Sequence, residues 1–116
     1  MFAAVEEGEL KEGLDGVLKY SYSTGGSEAT VIQDDSYKEM TAVSIPATAT
    51  LGGKTYQVTA VGNDAFMSCS KLTSVTLPSG LVSIGKYSFY NTGIKEIAFP
   101  ATLKSVGDYA FAICIV

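Results

Sequence analysis

Histidine and tryptophan are absent from the 116 residues, and all eight basic side chains are lysines, so arginine is missing as well. Each absence removes chemistry. Without histidine the chain lacks the side chain that titrates near neutrality and the commonest metal ligand. Without arginine it lacks the planar fork that grips phosphate and carboxylate with two parallel hydrogen bonds. Charged residues make up only 17% of the chain against 47% hydrophobic, a balance that excludes intrinsic disorder. The net charge of −4 argues against a nucleic-acid partner, because neutralising phosphates supplies most of such binding. No apolar run approaches the ~20 residues that a membrane-spanning helix needs. The start, Met1-Phe2-Ala3-Ala4-Val5, has neither a basic leader nor a long apolar stretch, so it does not read as an intact secretory signal. The length suits one domain.

The charge that is present is unevenly placed. Glu6, Glu7, Glu9 and Glu12 against Lys11 give −3 of the net −4, leaving the rest of the chain nearly neutral. This Gly-interrupted stretch reads as a solvated lead-in over residues 1–13.

Self-similarity is the strongest signal. Met40-Thr41-Ala42-Val43-Ser44-Ile45-Pro46 recurs as Leu72-Thr73-Ser74-Val75-Thr76-Leu77-Pro78 and again as Ile94-Lys95-Glu96-Ile97-Ala98-Phe99-Pro100. A second signature interleaves with it: Val61-Gly62-Asn63-Asp64-Ala65-Phe66, Ile84-Gly85-Lys86-Tyr87-Ser88-Phe89 and Val106-Gly107-Asp108-Tyr109-Ala110-Phe111. Its phenylalanines step by 23 and then 22 residues, and Leu81 and Leu103 also step by 22. Within a unit, Val75 and Leu77 alternate with Thr76, the period-two pattern of a half-buried strand. Pro78 ends that strand and turns the chain. Gly85 is expected to permit a backbone conformation that a Cβ would resist. The segment after it is expected to form a short helical or 3₁₀ turn that pushes Phe89 inward. One such unit cannot enclose its own apolar face, so units must stack at about strand spacing, ~4.8 Å.

The pattern L-x-x-V-x-L-P … I-G-x-x-[AS]-F-x-x-[CT] resembles the BspA-like, or Treponema-type, leucine-rich repeats of bacterial surface proteins. The resemblance covers Met40 to Cys114, with strand motif, proline, glycine and Ala-Phe in order. It implies a β-rich leucine-rich-repeat solenoid, secreted or on the cell surface, that serves adhesion or protein binding without catalytic residues. The expected fold is therefore a short parallel sheet of stacked 22–23-residue units with short helical or 3₁₀ turns. An N-terminal β-hairpin cap precedes them, as is common in the family. Residues 14–116 then form a single repeat domain, with 14–39 as the capping hairpin and 40–116 as the repeats. In that cap, Leu18, Tyr20 and Tyr22 share one face, Thr24-Gly25-Gly26-Ser27 turns, and Ala29 to Ile32 return. The first repeat is expanded, 32 residues from Pro46 to Pro78, and Gly52-Gly53 marks an inserted hairpin near 48–58.

Few residues invite chemistry. Cys69 and Cys114 stand at equivalent positions two units apart, roughly 10 Å by strand spacing, beyond the ~7 Å Cα separation that a disulfide tolerates. They are expected to be free, buried thiols, and neither has a histidine to serve as base. Asp34-Asp35 reads as a turn, since its spacing matches no calcium loop. Asp64 and Asp108 are expected to cap short turns at equivalent places. No catalytic residue, cofactor site or metal site is expected. The seven tyrosines read as packing more than as a sugar platform. Geometry points instead to the outward side of the strands: Ala42, Ser44, Ser74, Thr76, Glu96 and Ala98 form a candidate binding face for a protein or glycan ligand. Alternatively the domain self-associates, a homo-oligomer stacking through the C-terminal edge where Ile113, Ile115 and Val116 lack a polar cap.

Overall fold

The computed structural model describes residues 8–114, so Glu6 and Glu7 of the acidic lead-in and Ile115 and Val116 lie outside the described residues. Strands run in the order β1 (Leu10–Asp15), β2 (Leu18–Ser23), β3 (Glu28–Ile32), a 3₁₀ helix (Asp35–Glu39), β4 (Ala42–Ser44), β5 (Thr48–Leu51) and β6 (Lys54–Val61). Three short ones follow: β7 (Ser74–Thr76), β8 (Ser83–Ile84) and β9 (Ser105–Val106). The end of the expected lead-in is thus structured. Leu10 to Gly13 belong to β1, which pairs antiparallel with β2, although most of its residues stay exposed.

The strands fall into two sheets rather than one. The larger has the order β1-β2-β3-β6-β8-β9, and from β3 onward these strands are parallel. The smaller pairs β4 with β7 in parallel. The two faces of the coils therefore build separate ladders, the smaller from the proline-terminated motif and the larger from the segment before the glycine. β2 alternates buried Leu18, Tyr20 and Tyr22 with half-buried neighbours, as its sequence pattern requires.

The insertion forms the hairpin that Gly52-Gly53 announces. β5 and β6 pair antiparallel, and the two glycines sit at φ +59° and +83°, the left-handed pair of a tight hairpin turn. This hairpin does not stand alone. The sheet curls until β1 comes beside β5, and the Thr50 amide donates to Asp15 Oδ2 at 2.9 Å. Tyr22 and Tyr56 meet inside the curl with ring centroids 4.9 Å apart.

Beyond the curl, coils stack in register. The rings of Phe66, Phe89 and Phe111 lie 5.2 Å apart with planes within 7° of parallel. Near-parallel rings at that separation are offset, the arrangement the ring quadrupole favours. Tyr37 extends the column by a fourth ring, 4.8 Å from Phe66. Its hydroxyl donates to the Ile32 carbonyl and accepts from the Lys19 amide, both at 2.8 Å, so a polar ring is satisfied where the others are apolar.

Backbone bonding sets the same pitch. In the turns, the amides of Asp64, Phe66 and Ser68 donate to the carbonyls of Lys86, Ser88 and Tyr90 in the next coil. Those of Tyr87, Phe89 and Asn91 repeat this onto Asp108, Ala110 and Ala112. Alternate amides can point outward because the residues bracketing each phenylalanine are left-handed: Asp64, Tyr87 and Tyr109 at φ +57° to +64°, and Ser68, Asn91 and Ile113 at +56° to +62°. After the first coil these segments are therefore turns of alternating hand rather than 3₁₀ helices. Asp64 shares its position with Tyr87 and Tyr109, whereas Asp108 stands one place earlier, so the two aspartates are not equivalent. That earlier place belongs to Asn63, whose Oδ1 accepts from the Lys86 amide at 2.8 Å.

Gly85 also has a different reason from the one expected. Its φ is not positive; a Cβ there would come within 2.7 Å of the Asn63 amide nitrogen, and one at Gly107 within 2.6 Å of that of Lys86. Glycine is required because the backbone of the preceding coil passes directly beneath.

Phe89→Ala removes a fully buried ring stacked on both sides and should cost about 3–5 kcal/mol in denaturant unfolding. Ser88→Ala should do the opposite: its hydroxyl is buried without a partner where the adjacent coils carry Ala65 and Ala110, so stability should rise by up to about 1 kcal/mol.

Two buried phenols make the fold sensitive to alkali. Burial, with the Asp15 charge adding to it for Tyr20, pushes Tyr20 and Tyr37 up to about 12 from the ordinary 10. The unfolded chain then loses these protons first as pH rises, so their contribution is intact below pH 10 and is lost between 10 and 12. Thermal unfolding midpoints should hold level between neutral pH and that threshold, then fall. Tyr37→Phe should cost about 1–2 kcal/mol through its two lost hydrogen bonds, whereas Tyr20→Phe, whose hydroxyl has no partner, should cost nothing.

Candidate functional site

The candidate face is built on β4 and β7. Val43 and Val75 point inward at 7% exposure each, which forces their neighbours outward by strand alternation. In the parallel register Ala42 stands beside Ser74 and Ser44 beside Thr76. All four are exposed, as are Glu96 and Ala98 in the third copy of the motif. The third copy, however, forms no strand: Ile94 to Pro100 run irregularly beside β7. The expected ladder of three is a ladder of two with an irregular flank. Phe99 also packs differently from its counterparts. It stands at the position of Ile45 and Leu77, is 51% exposed, and sets its ring edge-on to Phe111 at 5.8 Å. Behind this flank lies a cavity of about 250 Å³ lined by Ile94, Lys95, Glu96, Ile97, Phe111 and Cys114.

The thiols are free. Cys69 is buried, and burial raises its pKa, the wrong direction for a nucleophile. Cys114 is only half-buried, not buried as expected; its thiol lies 3.4 Å from both Thr92 Oγ1 and the Phe89 carbonyl, to which it donates. Thr92 thus fills the slot between the two cysteines and bonds the same carbonyl at 3.0 Å.

Asp15 and Asp34 serve the backbone. Asp34 caps the 3₁₀ helix by accepting from the Ser36 amide and hydroxyl, and these bonds, with the nearby Lys19 charge, hold its carboxyl below the usual range. Among the described residues no group of three His, Cys, Asp or Glu side chains is placed to hold a metal ion. Tyr87 and Tyr109 stack at 5.3 Å with planes 16° apart, and Tyr90 packs edge-on against Tyr87, a second ladder outside the phenylalanine column. No helix among the described residues is long and apolar enough to cross a membrane.

Tyr37 is the residue that sequence reasoning missed. Val31 pairs with Val61, and Ser36-Tyr37 then stands where Ala65-Phe66, Ser88-Phe89 and Ala110-Phe111 stand. The hairpin's last strand and the 3₁₀ helix are therefore the rear half of a coil in their own right.

Residues 30–116 match the family described as BspA type leucine rich repeat region, in 6 copies. The chain belongs to that family. The match begins inside β3, in accord with the placement of Val31 and Tyr37. A leucine rich cell surface protein from Faecalibacterium prausnitzii A2-165 superposes with a TM-score of 0.76 at 27% identity, over 89% of this chain and 28% of that one. The T. pallidum leucine rich repeat protein gives a TM-score of 0.71 at 24% identity, over 89% of this chain and 46% of that one. A leucine-rich repeat protein from Bacteroides ovatus gives 0.57 at 22% identity, over 88% of this chain and 33% of that one. The chain thus spans less than half the length of each of these three. No match is found among curated proteins.

In the native BspA-type domain Cys69 should resist an aromatic disulfide reagent at pH 8 until the protein is unfolded, with Cys114 intermediate. Stoichiometric reaction of Cys69 within seconds would identify it as an activated thiol instead.

Proposed function

We propose that this domain is a non-catalytic binding module of a secreted or surface-displayed bacterial protein, and that it captures a protein ligand on the β4–β7 face. The observation that carries this reading is the register of the small sheet, which lines up Ala42 with Ser74 and Ser44 with Thr76 as an exposed, uncharged strip of small side chains. Short side chains let a partner approach the sheet closely and lose little rotamer freedom on binding. Glu96 supplies the one charge of the face at its irregular flank. Membership of a repeat family whose neighbours include a cell surface protein supports the location. The segment 14–39 serves as the leading cap and contributes Tyr37 as the first ring of the column, and residues 14–116 act as a single repeat domain.

Self-association is the second reading. It rests on Phe99, Val106, Tyr109 and Ile113, all about half or more exposed in the last described coil.

The test is capture from a panel of immobilised extracellular-matrix proteins and glycans, read against a Ser74→Lys/Thr76→Lys double variant. These positions are exposed, so the variant should unfold like the parent, while capture of a protein ligand should fall by at least about tenfold, the effect of burying two unpaired charges. A captured protein that the variant retains equally well would remove the face from the reading.

A further inference from the structure

The curled sheet has an open mouth. Where the Gly52-Gly53 turn meets the ends of β1 and β2, a cavity of about 350 Å³ is lined by Lys11, Tyr22, Thr24, Gly52, Lys54 and Tyr56. From its chemistry we infer that this mouth binds the carboxylate of an acidic saccharide, independently of the β4–β7 face.

The charge comes first. Two ammonium groups converge on this cavity in a chain of net charge −4. Lys54 is paired with no carboxylate among the described residues. Its Nζ donates to the Gly26 carbonyl at 2.6 Å and the Thr24 carbonyl at 3.4 Å, and it lies 5.0 Å from the centre of the Tyr56 ring. An ammonium has three N–H donors, so two neutral acceptors leave one for a ligand and keep the full positive charge. The same contacts fix the group in place, which lowers the entropy cost of using it. Lys11 pairs with Glu9 at 3.6 Å, but both side chains are largely exposed, and such a pair holds its members weakly.

The uncharged groups narrow the ligand to a sugar. A Cβ on Gly52 would stand 3.6 Å from the Tyr22 hydroxyl, which places that phenol oxygen at the rim. A phenol both donates and accepts, as sugar hydroxyls do. Tyr22 and Tyr56 are nearly buried, at 8% and 2% exposure, and Leu51 beside them is 3% exposed. The mouth therefore sets ammonium and hydroxyl groups next to ring and aliphatic carbon, the mixture that a sugar's hydroxyls and C–H groups match. Gly52 keeps it open: it holds left-handed backbone and carries no side chain over the cavity.

The inference is tested by titrating D-glucuronate and N-acetylneuraminate into the nitrogen-labelled full chain and following its amide resonances. Glucose and N-acetylglucosamine serve as neutral counterparts and N-acetylglutamate as a carboxylate without a sugar. The acidic sugars should saturate shifts at Gly52, Gly53 and Lys54 with millimolar affinity, weakening as salt is raised. Lys54→Gln should weaken them about tenfold, the worth of one charge-assisted hydrogen bond. Lys11→Gln should weaken them less, and Lys86→Gln, on a distant turn, should leave them unchanged. The amide spectrum itself reports whether each variant is folded. Equal response to the neutral sugars, equal binding of N-acetylglutamate, unaltered affinity in folded Lys54→Gln, or no shift with either acidic sugar at tens of millimolar would each overturn the inference.

Discussion

The structure depends on one repeat distance. Backbone hydrogen bonds between coils set a step close to strand spacing, and the interior rings stack at 5.2 Å because the chain delivers one phenylalanine per step. Both faces of a coil are bonded to its neighbour. Along the strands donors lie on both coils, as Gly85 donates to Val61 and Ile45 to Thr76, whereas in the turns around Phe66 and Phe89 the earlier coil donates to the later. Each of these coils is therefore held at front and back, and it cannot slide or tilt without breaking one set. The glycine in each unit follows from this spacing, since the approach of the coil below leaves no volume for a side chain.

The composition fits such a scaffold. A stack closed by backbone bonds and rings needs few charges, and the four ion pairs among the described residues involve exposed or half-exposed side chains that contribute little to stability. The polar groups that are buried mostly bond the backbone, as Tyr37 and Thr92 do. The lack of histidine and arginine leaves lysine as the only side-chain cation, and Lys54 lines a cavity without forming an ion pair among the described residues.

How far the sequence reveals this depends on whether a feature repeats. The phenylalanine column and the β5–β6 hairpin are readable because one is periodic and the other carries a glycine pair between alternating strands. The exposure of Ala42, Ser44, Ser74 and Thr76 follows from strand alternation, whereas Glu96 and Ala98 are exposed on a copy that forms no strand. What escapes is whatever departs from the period. Tyr37 hides because Val31 to Tyr37 is one residue longer than Val61 to Phe66 and carries Ile32 where later units carry glycine. The meeting of β1 with β5 joins residues about 35 apart through an aspartate and an amide, a contact no local pattern encodes. The loss of the third strand is illegible because its motif matches the other two position by position.

The Ser88 hydroxyl marks how such an array can vary. The turns around Phe66 and Phe89 each meet the next coil through the same three amides, so side chains between these positions can change without redesigning the junction. Length changes are absorbed outside the column: Val31 to Tyr37 is one residue longer than Val61 to Phe66, the first repeat carries a whole hairpin, and the rings still stack. A serine stranded in an alanine slot is the kind of mild imperfection such an array tolerates, because the stack around it is held by atoms that substitution cannot touch.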